Sequence, residues 1–475
     1  MKPHLPVVIA IVLWAVVGCE GFEEKYALGT GYRLSFSADT LSFDTLFSAV
    51  ASPTRTLMVY NRYDRALDIA SIRLERAGQT GFRINVDGRK GTYFEHVSLR
   101  SGDSLYILVE VTLPSNDSPL PQLTTDHLSF VLNGQSQSVR LEAYGQDVTL
   151  LRGGHTFRSD TTLLAERPFL IHDSLVVAAG ATLRLTAGTT FYLHDRANLV
   201  IRGTLIAEGT GEDPITLRGD RLDYVLTPIL LYDSEPAQWG GITFHPTSSN
   251  NVLCHTLIRN SSSGLAFLPS SPEASDLILS HCQLTNTDGN LLDAVNWKME
   301  ISDTELTNAA GTVVRLAGGN YQFIHCTIAN HFLFGRSDTA SYALSLSNQQ
   351  SPLDVSFDNC LIDGRHGSGL ELSFEETHGI PFEYRFNHCV IKANADSLSA
   401  HQSDCIFITE SPLYRKRGRT EDKYTFDFRL DTLTAPGVGK ADPDISVHYP
   451  VDRYGVSRLD GDNAPTIGAY EFDKE

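Results

Sequence analysis

Positive charge, long apolar runs and paired cysteines are all scarce in this chain of 475 residues. Its 38 lysines and arginines face 57 aspartates and glutamates, for a formal net charge of -19. The densest basic stretch, Arg415-Lys416-Arg417-Gly418-Arg419, is short and reads as a solvated loop. Phosphate backbones are held by concentrated basic residues, so nucleic acid is excluded as a partner. The apolar run from Leu5 to Val17 is shorter than the roughly 20 residues that cross a bilayer and, following Lys2, has the form of a secretory signal. There are seven cysteines, and none lies between Cys19 and Cys254, which leaves the first third of the chain without any disulfide framework. What is plentiful is apolar side chain, 41% of the total, enough to build real cores.

A short pattern recurs between Asn251 and Ala393. The copies NVLCHTLIRN, DLILSHCQLTN, KMEISDTELTN, YQFIHCTIAN, VSFDNCLIDG and YRFNHCVIKA centre on Thr256, Cys282, Thr304, Cys326, Cys360 and Cys389, with spacings of 26, 22, 22, 34 and 29 residues. A unit near this length marks a stacked array. Two residues past the centre lies Ile258, Leu284, Leu306, Ile328, Ile362 or Ile391; three before it lies Leu253, Leu279, Ile301, Phe323, Phe357 or Phe386. An odd step of three between inward residues cannot occur in a straight strand, whose faces alternate with period two. The chain therefore turns a corner at the residue before the centre: His255, His281, Asp303, His325, Asn359 or His388. Asn, Asp and His are the non-glycine residues enriched in the left-handed region. Their side chains are expected to face water as a turn column, and neither a metal site nor a cofactor is expected. Cys282, Cys326, Cys360 and Cys389 share the inward central column, where buried Cys acts as a small apolar residue. Cys254 and Cys405 are expected outside or at its margin. A Ser in place of Cys360 is expected to cost about 1 to 3 kcal/mol, because no acceptor for its hydroxyl is assured.

These columns resemble the right-handed parallel β-helix repeat proteins, the architecture of pectate lyases and polygalacturonases. The resemblance implies a β-helix over residues 155–435. Its opening is carried by LVVAAGATLRLTAGTTFYLHDRANLVIRG and by Trp239-Gly240-Gly241, after a linker Arg152-Gly153-Gly154. Residues 436–475, with DRYGVSRLDGDNAPTIGAYEF, resemble the closing segment of such proteins and are expected to cap the last rung, whose strand edge would otherwise be unpaired. The expected fold class is all-β: an N-terminal immunoglobulin-like β-sandwich followed by a single-stranded right-handed parallel β-helix.

Upstream, Val16-Val17-Gly18-Cys19 resembles the bacterial lipobox, in which the Cys is diacylated and becomes the new N-terminus. Residues 1–19 are thus expected to be a lipoprotein signal peptide with Cys19 as its lipidation site. Residues 20–31, with Glu20, Glu23 and Glu24, form a polar tether that resembles the surface-export signal of Bacteroidetes lipoproteins. Residues 32–150 show short alternating runs separated by turn residues: Arg33 to Phe36, Arg55 to Tyr60, Leu67 to Leu74, Phe82 to Val86, Ser104 to Thr112, His127 to Leu132 and Gln137 to Ala143, with Asn133-Gly134 as a hairpin turn. This fits a sandwich. The phrases DTLFS, LMVYN, DSLYILVEVT and AYGQD resemble the immunoglobulin-like domains that precede β-helices in Bacteroidetes lipoproteins, which implies a spacer.

Chemistry is harder to place. Before each corner unit lies another short strand, GITF, GLAF, LLDAV, VVRL, ALSL or GLEL, with Thr243, Ala266, Asp293, Arg315, Ser345 and Glu371 as the expected outward residues. Asp293, Arg315 and Glu371 would supply a base, a carboxylate-neutralising cation and an acid, the equipment of a lyase or glycosidase. Asn286-Thr287-Asp288-Gly289 resembles the first polygalacturonase motif, and Arg365-His366-Gly367 echoes another. The adjacent aspartate pair of those enzymes is replaced by Asn308-Ala309-Ala310, so the Asn residues read instead as a turn column, Asn260, Asn286, Asn308 and Asn330. No dense Asp cluster resembles the calcium site of pectate lyases.

The expected function is a lipid-anchored outer-membrane protein, exposed on the cell surface, that binds an extended ligand, above all polysaccharide, without catalysis. A polysaccharide lyase or glycoside hydrolase is the alternative, and a structural or adhesive scaffold with a surface-protein partner the second. Replacing Cys19 by Ala should move the protein from the membrane to the soluble fraction, and protease applied to intact cells should degrade the wild type. Membrane retention of Cys19→Ala would refute the anchor.

Overall fold

The computed structural model describes residues 25–118, 120–226, 230–333, 341–349, 351–365, 371–418, 425–460 and 464–473. Cys19, the lipobox, Glu20, Glu23, Glu24, His366, Gly367 and Arg419 lie outside the described residues. The chain divides into two compact units, Met1–Asp147 and Val148–Glu475. Both are built from strands.

The first unit holds two five-stranded sheets. Arg55–Tyr60, Leu67–Leu74 and Phe82–Val86 form where the alternating runs place them, while Thr40–Phe47 and Tyr93–Leu99 add strands beyond the seven expected. Pairing between the described strands is antiparallel apart from Gln135–Gln146 beside Thr40–Phe47, and Tyr26 adds an isolated parallel bridge to Ala66. The hairpin turn has Asn133 at φ 48° and Gly134 at φ 75°, the left-handed pair that matches strand twist. Leu57 and Val59 of one sheet share a single core with Leu67, Ile69 and Phe130 of the other.

The second unit is dominated by parallel pairing. Within each repeat the chain visits three ladders in turn. Gly241–Phe244 belongs to the first, Asn251–Cys254 to the second and Thr256–Arg259 to the third; Leu265–Phe267 then pairs in parallel with Gly241–Phe244 and starts the next rung. The first two ladders are joined into one sheet of seventeen described strands, because Leu292–Ser302 and Val314–Ile324 run through both. The third is a parallel sheet of eleven. Inward residues stack in register: Phe323, Phe357 and Phe386 have ring centroids 4.9 and 5.0 Å apart, each contact worth about 0.5–1.5 kcal/mol beyond area burial.

The parallel ladder begins earlier than the linker suggests, since Thr149–Leu151 already pairs with Phe169–Ile171. It also ends sooner. The last parallel pairs join Val390–Ile391 to Ile406–Phe407, and Tyr414–Arg417 with Phe426–Leu430 is an antiparallel hairpin.

All six corner residues are left-handed, with φ of 43° at His255, 54° at His281, 48° at Asp303, 50° at His325, 55° at Asn359 and 50° at His388. Their side chains do not all face water, which corrects the sequence expectation. His325 and Asn359 are fully buried and Asp303 is 1% exposed, because the C-terminal segment lies along this column instead of closing the last rung alone. Asn359 Oδ1 accepts from the Asp442 amide at 2.7 Å and His325 Nε2 sits 2.9 Å from Ser446 Oγ. Arg458 reaches Asp303 at 2.9 Å, both out of contact with solvent. Removing one partner of such a pair strands the other charge, at a cost of about 3–5 kcal/mol.

The central column does more than fill space. Backbone amides at one rung donate to the γ-atom of the next: Thr256 to Cys282 Sγ at 3.4 Å, Cys282 to Thr304 Oγ1 at 3.2 Å, Cys326 to Cys360 Sγ at 3.4 Å and Cys389 to Cys405 Sγ at 3.4 Å. Cys405 is therefore the next member of the column. Each γ-group also finds an acceptor; Cys360 Sγ lies 3.3 Å from the Asp358 carbonyl and 3.4 Å from that of Phe323. Cys and Thr share this column because both are small and carry a polar γ-atom.

Since acceptors are present, Cys360→Ser should cost under about 1 kcal/mol in chemical denaturation, less than expected from sequence. Cys360→Ala leaves the Cys326 amide without its partner and should cost about 1–3 kcal/mol. Equal losses, or fast thiol labelling of Cys360 in the native protein, would contradict the column.

Burial holds the His325 imidazole well below the usual histidine range, with Arg458 adding to the effect. A depressed histidine gives stability that is complete above the unfolded value of about 6.5 and is lost as pH falls below it, by at most about 1.4 kcal/mol per pH unit. Asp303, pushed up to about 6 by burial against the pull of Arg458, acts oppositely between about 4 and 6, its raised carboxyl favouring the folded state on acidification. Comparison with His325→Asn isolates the histidine. That variant should lose less stability than wild type between pH 7.5 and 5, and parallel profiles would refute the assignment.

Candidate functional site

The three residues singled out from the sequence do not assemble. Asp293 and Arg315 are neighbours on adjacent rungs, aligned by the parallel register of Leu292–Ser302 with Val314–Ile324. Arg315 Nη1 lies 2.7 Å from Asp293 Oδ1, and Asn290 donates to the other carboxylate oxygen at 2.9 Å. Both side chains are partly exposed, so the pair is worth about 0–1 kcal/mol, and each is engaged by the other.

Glu371 departs from the expected column. The strand that follows is Leu372–Glu375, and Leu372 aligns with Leu344 and Ser373 with Ser345. Ser373 thus takes the outward position, and Glu371 precedes the strand, fully buried. Its carboxylate lies over Gly364, where a Cβ would meet Oε2. Leu370, expected inward, lies outside the described residues.

Three of the four Asn residues form a second left-handed corner, with φ of 67° at Asn260, 62° at Asn286 and 59° at Asn308, whereas Asn330 ends the strand Thr327–Asn330 without a positive φ. They also anchor an insertion. Asn260 Nδ2 donates to the Asp233 carbonyl at 2.7 Å and to that of Glu235 at 2.9 Å, and Asn286 Nδ2 to that of Ser234 at 2.9 Å. Asp233 is held from the sheet by Arg218 at 3.1 Å and Arg259 at 3.0 Å. The short turn Tyr232–Ser234 is thereby fixed over the outward face of the eleven-stranded sheet.

A cavity lies on either side of that turn. One, of about 290 Å³, is floored by Gln283, Thr285, Asn286, Glu305 and Asn308 and walled by Arg259, Phe332 and Phe426. The other, of about 420 Å³, is lined by His194, Asp220, Arg221, Tyr232 and Glu235. In it His194 Nδ1 lies 2.6 Å from Asp220 Oδ2, Arg221 stacks 3.9 Å from the Tyr232 ring centroid, and burial raises the Glu235 carboxyl above its ordinary value. Amide, hydroxyl and carboxylate groups beside aromatic faces suit a ligand with many hydroxyls and an apolar face.

These residues were missed because outward positions are polar by default. One signal was available: the strand after Ile215–Gly219 in the same ladder is Thr256–Arg259, a gap longer than any rung of the repeat.

No protein-family profile matches the chain, and no curated protein matches it. Among solved structures it is similar to a family 123 glycoside hydrolase from Clostridium perfringens, at TM-score 0.18 and 5% identity, over 25% of this chain and 30% of that one. The chain therefore spans less than a third of that hydrolase. It is also similar to the ASH/PapD-like domain of human CEP192 (PapD-like domain 7), at TM-score 0.17 and 10% identity, over 26% of this chain and 91% of that domain.

Proposed function

We propose that the chain is a lipid-anchored outer-membrane protein, displayed on the cell surface, that binds an extended polysaccharide along the outward face of its eleven-stranded sheet. The observation that carries this reading is the polar groove floored by Gln283, Thr285, Asn286 and Asn308 and walled by Phe332 and Phe426. Its second unit is, on this reading, a right-handed parallel β-helix. The three-ladder rung supports the coil, and crossovers between parallel strands of one sheet are right-handed in about 98% of cases. The first unit is then an immunoglobulin-like spacer between anchor and helix, and Cys19 carries the lipid.

A catalytic reading, a polysaccharide lyase or glycoside hydrolase, draws on a different site from Asp293 and Arg315. The hydrogen-bonded His194 and Asp220, in one cavity with the raised Glu235 carboxyl, are the favouring observation. That combination supplies a base and an acid.

Purified protein should bind one class among uronic-acid polymers and neutral glucans in affinity electrophoresis, without releasing unsaturated product or reducing ends. Phe426→Ala should weaken retention at least about tenfold, or about 1.4 kcal/mol, whereas Asp293→Ala with Arg315→Ala should leave it unchanged. No retention by any polymer, or full retention by Phe426→Ala, would overturn the groove. Product release abolished by Glu235→Gln would replace binding with catalysis.

A further inference from the structure

The corner column brings together a group of side chains that no step above has used. Cys254 closes the strand Asn251–Cys254, His255 turns the corner directly after it, and His281 turns the same corner one rung on. The parallel register sets Cys254 opposite Ser280, so His281 follows as the neighbour of His255. Their rings stack with centroids 4.8 Å apart. One donor atom from each of Cys254, His255 and His281 lies within 4.8 Å of the other two.

Position alone would leave this a stacked pair beside a thiol. His281 adds a second observation. Both of its ring nitrogens are buried, and neither makes a hydrogen bond. The Asp303 carboxylate lies 3.9 Å from Nε2, too far for one, and the Val451 backbone is a further polar neighbour of the ring. Buried ring nitrogens are ordinarily satisfied, and an imidazole with two idle nitrogens beside a second imidazole and a half-buried thiol is equipped as a ligand.

We propose that Cys254, His255 and His281 bind a single thiophilic cation of the zinc class. A thiolate with two neutral imidazoles is the donor set of a borderline-soft ion, and three protein ligands leave the fourth tetrahedral position to water. Bonds of about 2.3 Å to sulfur and 2.0–2.1 Å to nitrogen put donor atoms about 3.5 Å apart, a contraction that small side-chain rotations supply. Calcium and magnesium, which require oxygen ligands, are disfavoured. Two guanidinium groups stand near the rings, and both are already matched. Arg458 is paired with Asp303 at 2.9 Å and Glu471 at 3.6 Å, and Arg453 bonds Tyr470, which in turn bonds Glu305. On binding, the Cys254 thiol releases its proton to solvent and the ion gains a sulfur ligand; nothing is oxidised or reduced.

The test uses protein stripped with a chelator and titrated with Co²⁺, then Zn²⁺. One equivalent of Co²⁺ should bind with a near-ultraviolet charge-transfer band from thiolate to cobalt, and Zn²⁺ should displace it. Cys254→Ser should abolish the band, and His281→Asn should weaken Co²⁺ binding at least about tenfold. Asn occupies the same corner position at residue 359 with φ 55°, so His281→Asn should fold, as circular dichroism would confirm. His388→Asn, in the same column on a distant rung, should bind as wild type. Absence of the band, its survival in Cys254→Ser, or equal weakening in His388→Asn would overturn the proposal.

Discussion

Every rung of the second unit has to solve one problem at its corner. A left-handed residue swings the backbone out of one ladder and into another, and the amide that follows points along the stack, where an unpaired polar group would be costly. The γ-atoms of Cys282, Thr304, Cys360 and Cys405 meet that demand by accepting from the rung before. Each γ-group also donates to a carbonyl, as Thr304 does to that of Ser302 at 2.7 Å, so the column places a series of small bonds inside an apolar core. This explains why two chemically unlike residues share the column, and why no larger apolar side chain stands in it.

The outer side of the same corner sets a second condition. His, Asp and Asn are chosen for their backbone conformation, yet they bring polar side chains to a surface that the C-terminal segment covers. That segment is correspondingly polar at its contacts: Arg458, Ser446 and the Asp442 amide each meet one corner side chain, and the Gly468 and Ala469 amides reach Asn359 and Thr327 at 2.9 and 3.0 Å. The covered stretch of corners runs from Cys282, whose carbonyl accepts from Arg453 at 3.1 Å, to Asn359. His255 and His281 fall at the margin of this cover, where the segment leaves both side chains partly exposed.

The alternation inside each strand was legible in the sequence because it is a local property with period two. The inward columns, the left-handed corners and the Asn133-Gly134 hairpin all follow from it. Register across an insertion is not local. Leu370, Leu372 and Phe374 alternate in the sequence and leave two choices of inward pair, and only pairing with Leu344 decides that Ser373, not Glu371, takes the outward position. Contacts between segments far apart in sequence carry no period at all, so the covering of His325 by residues 442–468 had no trace in the pattern. Cys405, expected outside the column or at its margin, is its next member, because Gln402 in place of an apolar residue three positions before it hides the repeat. The groove was illegible for the same reason: its residues come from four rungs and two insertions, and each is an ordinary polar residue by itself.

The placement of the insertions joins fold to function. The long turn after Ile215–Gly219 leaves the third ladder at its downstream edge, the same edge at which Asn260, Asn286 and Asn308 turn the chain in later rungs. Extra length at a corner interrupts no ladder pairing, and its closure entropy grows only slowly with length, so this edge tolerates elaboration that a strand would not. A loop held only at its ends would be too mobile to shape a groove. Here Asn260 and Asn286, already required for the corner, spend their side-chain amides on the carbonyls of residues 233–235, and Arg218 and Arg259 hold Asp233 from two successive rungs. The repeat thus supplies rigidity to a segment outside it. A groove built in this way can change its lining by changing the insertion, while the corner that fixes it stays under the constraint of the repeat.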